Sequence, residues 1–144
     1  MQVFSSDRYF KTWDYTASHH KLLLRSPLQD GGMDYLIDIE FIGVDWMEMP
    51  TDFVDLIIEQ REYTCEDAAR YPISRHEALD ALRVYHLRDT KGRTGCLCAS
   101  GGIWVFETTM DLSDTSLDGM GKWSSDSDSP RRTIYRWPPS AGDR

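Results

Sequence analysis

Residues 33–60 read MDYLIDIEFIGVDWMEMPTDFVDLIIEQ, and the phase of the large apolar residues in this stretch decides the fold. From Tyr35 to Phe41 the alternation is strict. Tyr35, Ile37, Ile39 and Phe41 fall on one face and Asp38 and Glu40 on the other, the period-two pattern of a half-buried strand. Leu36 and Ile42 interrupt the polar face, which predicts partial cover there rather than open water. Gly43 shifts the phase, so that Val44 and Trp46 become the alternating pair. A glycine inside a strand pattern marks a bulge or a bend, so either one strand runs past a bulge to Met49 or two strands meet at a corner. Pro50-Thr51-Asp52 is punctuation. Phe53–Gln60 fits a helical stripe (Phe53, Leu56, Ile57, Gln60, with Asp52 as N-cap) and also the alternation of Val54, Leu56 and Ile58. Its shortness and β-branched content favour a strand.

The same stretch is the acidic centre of the chain. Between Asp34 and Asp67 lie 11 of the 24 acidic residues and one basic residue, Arg61. Asp38 and Glu40, two apart on a strand, share a face, and Asp45, Glu48, Asp52 and Asp55 extend the series. Solvation of a half-buried strand explains such residues economically; the rival is an acidic surface that meets a basic protein partner.

Upstream, residues 1–8 are polar and read as frayed chain or a short edge strand. Phe10–Tyr15 and Lys21–Arg25 read as the arms of a hairpin turned at Ser18-His19-His20 and closed by Ser26-Pro27. Gln29–Gly32 is loop by composition. Downstream, Thr64-x-x-Asp67 and Ser74-x-x-Glu77 have the form of capping boxes. Glu66–Arg70 predicts one helical turn, and Arg75–Leu82 a short helix with Ala78, Leu79 and Leu82 on one side. Arg83–Leu87 and Thr94–Ala99 form a hairpin about Asp89–Gly92, Ser100-Gly101-Gly102 breaks the second arm, and Ile103–Thr108 is a further strand. Asp111–Ser129 holds six serines and five aspartates, a composition with little to bury against the loss of chain entropy. Thr133–Trp137 follows as a possible terminal strand. Two units result: residues 1–109, a β-rich globular domain with 11 basic and 18 acidic groups, and residues 110–144, a mobile tail with 5 and 6. The fold expected is α+β, predominantly an antiparallel β barrel or sandwich of seven to eight short strands with one short helix.

With 144 residues, 40% of them apolar, the chain can bury a real core. A net charge of −8 argues against nucleic acid and anionic membrane surfaces as partners. No basic and apolar leader pattern begins the chain and no run reaches the ~18 apolar residues of a membrane span. Three cysteines make no disulfide framework, so a cytoplasmic location is expected.

Ser18-His19-His20 holds a nucleophile beside a base, but adjacent residues cannot build a triad and no oxyanion segment accompanies them. Cys96 and Cys98 share a strand face without a metal-ligand spacing, so no metal or other cofactor is expected. Trp123 and Trp137, near Arg131, Arg132 and Arg136, have the character either of an interaction peptide or of a strand docked on the chain's own sheet.

The pattern Trp13-x-Tyr15-x-x-Ser18-His19-x-x-Leu22-Leu23-Leu24-Arg25-Ser26, followed by Ile37-Asp38-Ile39-x-Phe41-x-Gly43-Val44, resembles a group of small uncharacterised bacterial proteins over about the first third of the chain. That resemblance implies no activity. In size, acidity and single-domain organisation the chain also resembles bacterial immunity proteins, which implies a basic protein as partner. The leading expectation is therefore a non-enzymatic interaction module using Asp38, Glu40, Asp45, Glu48, Asp52 and Asp55. A second is a small-molecule binder or small enzyme with a pocket built from Ser18, His19, Arg25 and Asp38. A third is self-association through Thr133–Trp137.

Overall fold

The structure, a computed structural model, describes residues 1–26, 34–73, 79–110 and 131–140. Seven strands form one antiparallel sheet: β1 Gln2–Thr16, β2 Lys21–Ser26, β3 Asp34–Glu48, β4 Asp52–Glu62, β5 Arg83–Arg88, β6 Thr94–Met110 and β7 Arg131–Trp137. The first six close on themselves in the order β3-β2-β1-β4-β5-β6, because β6 returns to pair with β3, and β7 adds to the side of β6. The ring makes the molecule a barrel rather than a sandwich, and closure removes the free edges that a six-stranded open sheet would expose.

The alternation in β3 becomes the inside and outside of this barrel. Ile39, Phe41 and Val44 enter the core with Phe4, Phe10, Leu22, Leu24, Phe53, Leu56, Ile58, Tyr85, Leu87, Leu97, Ile103 and Val105. Burying each such large side chain fully stabilises by about 1.5–3 kcal/mol. The phase change at Gly43 is a bulge, and β3 runs on to Glu48: the β3–β6 register shifts there and Gly43 has φ +69°. A second, smaller cluster lies outside the ring, where Tyr63, Tyr71, Ile73 and Leu82 pack on Trp46, Val84, Cys96 and Cys98.

Several expectations change. Residues 1–8 are no frayed end: they form the first half of a 15-residue β1, paired to β4 from Gln2 onward. Ser100-Gly101-Gly102 does not end a strand, because β3 pairs along both sides of it and binds the two halves into one β6 of 17 residues. The seven strands agree with the seven to eight expected but are longer than the sequence predicts. Phe53–Gln60 is strand, within β4. The Thr64-x-x-Asp67 box caps a 3-10 turn, Cys65–Ala69, with the Asp67 carboxylate accepting from the Thr64 N–H at 2.8 Å and the Thr64 hydroxyl at 3.2 Å. Of the predicted helix Arg75–Leu82, residues 75–78 lie outside the described residues, and Leu79–Ala81 is a single 3-10 turn. The described part is therefore predominantly antiparallel β with no α-helix, and no described helix is long and apolar enough to cross a membrane. The Ser/Asp-rich stretch 111–129 also lies outside the described residues.

Candidate functional site

The six acids expected on one face are dispersed. Asp38 and Glu40 are on the outer face of β3, yet only 2% and 4% exposed, so they do not belong to a solvent-facing acidic surface. For Asp38 the reason sits on the neighbouring strand. Arg25 of β2 is paired with Asp38 in the β2–β3 register, and its guanidinium donates from Nε and Nη2 to the two carboxylate oxygens at 2.8 and 2.9 Å. Trp13 lies against the same guanidinium, 5.4 Å from its ring centre. Asp45 is half-buried and Glu48 exposed. Asp52 and Asp55 belong to the rim described below.

The pocket expected from Ser18, His19, Arg25 and Asp38 is not assembled. Ser18 and His19 are exposed in the β1–β2 turn, whereas Arg25 lies near the far end of β2. The extended chain from Lys21, at the end of the turn, to Arg25 alone spans about 13 Å. Cys96 and Cys98 do share the outer face, but within the apolar cluster around Tyr71. Burial pushes the Cys98 thiol up to about 12, and the hydrogen bond with Cys96 pushes the Tyr71 hydroxyl up to about 12, so both groups are neutral at ordinary pH. Among the described residues no three His, Cys, Asp or Glu side chains are grouped to hold a metal ion.

What the fold does assemble is a mouth at one end of the barrel. Four large apolar residues are exposed among the described residues, and two of them, Tyr15 and Met47, line the same depression with Trp13, Leu22 and Met49. Its volume is about 430 Å³, and Thr12 and Asp14 add polar groups to its wall. The strand ends explain it. Tyr15 pairs with Leu22 and Met47 with Leu97, both core residues, so by pleat both side chains face the barrel side. The Val44 N–H donates to the His20 carbonyl at 2.8 Å, and beyond that bond β3 leaves the β1–β2 hairpin and continues on β6 alone. The gap so opened leaves Tyr15 and Met47 above the last core layer. Met49 forms the floor, packed so closely on the backbone of β6 that a Cβ on Gly95 would meet its sulfur at 2.8 Å.

The rim beyond the mouth is held by an ionic network. Asp52 accepts from the Tyr9 hydroxyl at 2.5 Å and from the Arg93 guanidinium. Arg93 Nε also donates to Asp89 Oδ2 at 2.9 Å. Burial works to raise the Asp89 pKa, but hydrogen bonds from the Val54, Arg93 and Lys91 amides and the Arg93 side chain outweigh it and hold the carboxyl below its usual range. Asp55, at φ +58°, accepts from the Thr90 hydroxyl at 2.9 Å. These acids anchor the β5–β6 turn against β4 and lack the open geometry of a catalytic pair.

The mouth is not legible in the sequence because Tyr15 sits in phase with a core face, and because a second register shift, between Val44 and Trp46, turns Trp46 to the outer cluster and brings Met47 to the barrel side. The exposure of Tyr15 and Met47 depends on where neighbouring strands end. Comparison with protein-family models, with curated proteins and with solved structures finds no match.

Proposed function

We propose that the chain is a non-enzymatic interaction module that receives an apolar, basic-flanked segment of a protein partner in the mouth formed by the β1–β2 hairpin and the end of β3. The observation that carries this reading is the convergence of Tyr15 and Met47, large and exposed, on one depression with Trp13 and Met49. Exposed apolar surface of this kind marks contact sites, and methionine adapts its shape to varied apolar partners. Asp14 in the wall, exposed Glu48 beside Met47 and a net charge of −8 favour basic side chains around the apolar anchor. The acidic character expected of a partner surface thus enters as the surround of an apolar site, without Asp38 and Glu40.

Selection of a displayed random-peptide library on the intact protein tests the proposal. The expected binders carry an aromatic or long aliphatic residue flanked by Lys or Arg. The double substitution Tyr15→Asp with Met47→Asp lowers their affinity by about tenfold or more. Selected binders that are indifferent to this double substitution, or that carry no basic residues, overturn the reading.

A further inference from the structure

A second surface of opposite sign lies along β7. Three of its seven residues are arginines, on a chain whose net charge is −8. β7 pairs with β6 from Ile103 to Thr108, while the mouth meets β6 at Leu97, so the two surfaces are separated by about 20 Å of strand. Among the described residues the far side of β7 has no partner strand. The register between β6 and β7 skips Ile134, which stands 41% exposed. On the outer face the Arg136 guanidinium lies 5.1 Å from the centre of the Trp104 ring and enters no ion pair among the described residues. Trp104 is itself fixed, its indole N–H donating to the Thr133 hydroxyl at 3.0 Å. Arg132 is bound at one end to Glu107 at 2.7 Å, with three-quarters of its side chain exposed. A guanidinium held over an aromatic face keeps its N–H donors available to a carboxylate.

We propose that β7 is a docking edge for an extended acidic segment of a protein partner, which adds as a strand beside Arg132, Ile134 and Arg136. Main-chain groups along an edge strand supply the hydrogen bonds of strand addition, and side chains supply selectivity. A second copy of this chain is the poorer occupant. Antiparallel pairing of two β7 strands would bring the arginines of both copies to one seam, and the repulsion of like charges opposes it. Charged residues and a bulge are the usual guards of a sheet edge; here the sign of the guard rejects the chain's own copy and admits an acidic strand.

Fluorescence anisotropy on the intact protein tests this with a labelled decapeptide in which Glu alternates with Val and Thr. Comparison peptides carry Lys for every Glu, or Pro at two central Val positions. The Glu peptide is expected to bind, and Arg132→Glu with Arg136→Glu to weaken it by about tenfold or more. The Lys peptide should bind only the charge-reversed variant, and the Pro peptide should bind neither protein. Tyr15→Asp with Met47→Asp should leave all of these results unchanged, which separates this edge from the mouth. Absence of binding by the Glu peptide, or its indifference to the charge reversal, overturns the proposal. Equal binding of the Pro peptide overturns strand addition without recourse to any protein variant, and a wild-type dimer in sedimentation that Arg132→Glu with Arg136→Glu dissociates assigns the edge to a second copy instead.

Discussion

Arg25 and Asp38 are an ion pair buried on the outside of the barrel, at 8% and 2% exposure. Transferring both charges from water costs several kcal/mol each, and their mutual attraction with two hydrogen bonds about offsets it. Asp38→Ala is accordingly predicted to destabilise by about 3–5 kcal/mol in urea unfolding, because the guanidinium stays behind without its counter-charge. Arg25→Met combined with Asp38→Leu should be neutral or stabilising; a double variant as weak as the single one would show that the pair contributes a large net attraction. Asp67 gives a residue-scale pH prediction. The Arg61 side chain, then the Thr64 amide and hydroxyl, hold its carboxyl well below the usual carboxylate range. A depressed pKa stabilises the fold above the unfolded value of about 4, and this contribution disappears as pH falls through the folded value. The stability gap between wild type and Asp67→Asn should therefore be constant between about pH 5 and 7 and narrow below about pH 4; a gap that widens on acidification contradicts the assignment.

Elements in this barrel are shaped by a few glycines where two backbones meet. At Gly102, φ is +93° and a Cβ would lie 1.8 Å from the Trp137 carbonyl oxygen, so the end of β7 can rest on β6 only if no side chain stands there. Gly102→Ala is predicted to cost about 1–3 kcal/mol in backbone strain and to lift β7. Hydrogen exchange should then accelerate across residues 131–137 while the β1–β2 and β4–β5 ladders keep their protection; uniform acceleration would mean that β7 and the ring unfold together. The same glycines show how far local pattern reaches. Gly43 announced its bulge because the strict alternation before it breaks there, whereas the second shift, between Val44 and Trp46, which turns Trp46 to the outer cluster, was not legible. Ser100-Gly101-Gly102 read as a break because nothing local reveals that β3 pairs through it. The alternation of β3 fixed its core face, but the fate of Asp38 depended on Arg25, which approaches from another strand. Ile39 and Phe41 were legible as core; Asp38 and Glu40 were not legible as buried.

At the scale of the molecule, ring closure and strand addition are separate structural acts. Six strands complete the barrel through the β3–β6 pairing, and β7 pairs along one edge of β6 without belonging to the ring. Most contacts join distant parts of the chain, which favours slow but cooperative folding. What β7 adds to the core is marginal: Tyr135 and Trp137 pack against it and remain only partly buried. A chain ending at Met110 is therefore predicted to keep its β-type circular dichroism and a single unfolding transition. It should be less stable than the full chain by the cover that those two aromatics supply. The mouth lies at the other end of β6, where Tyr15, Met47 and Met49 are held by β1, β3 and the backbone at Gly95. Peptides selected on the mouth should consequently bind the shortened chain with unchanged affinity, while the acidic decapeptide should lose its binding entirely. A shortened chain that melts without a cooperative transition would make β7 part of the folding unit. Loss of the mouth's peptides in a shortened chain that still melts cooperatively would show that the two surfaces are coupled through β6.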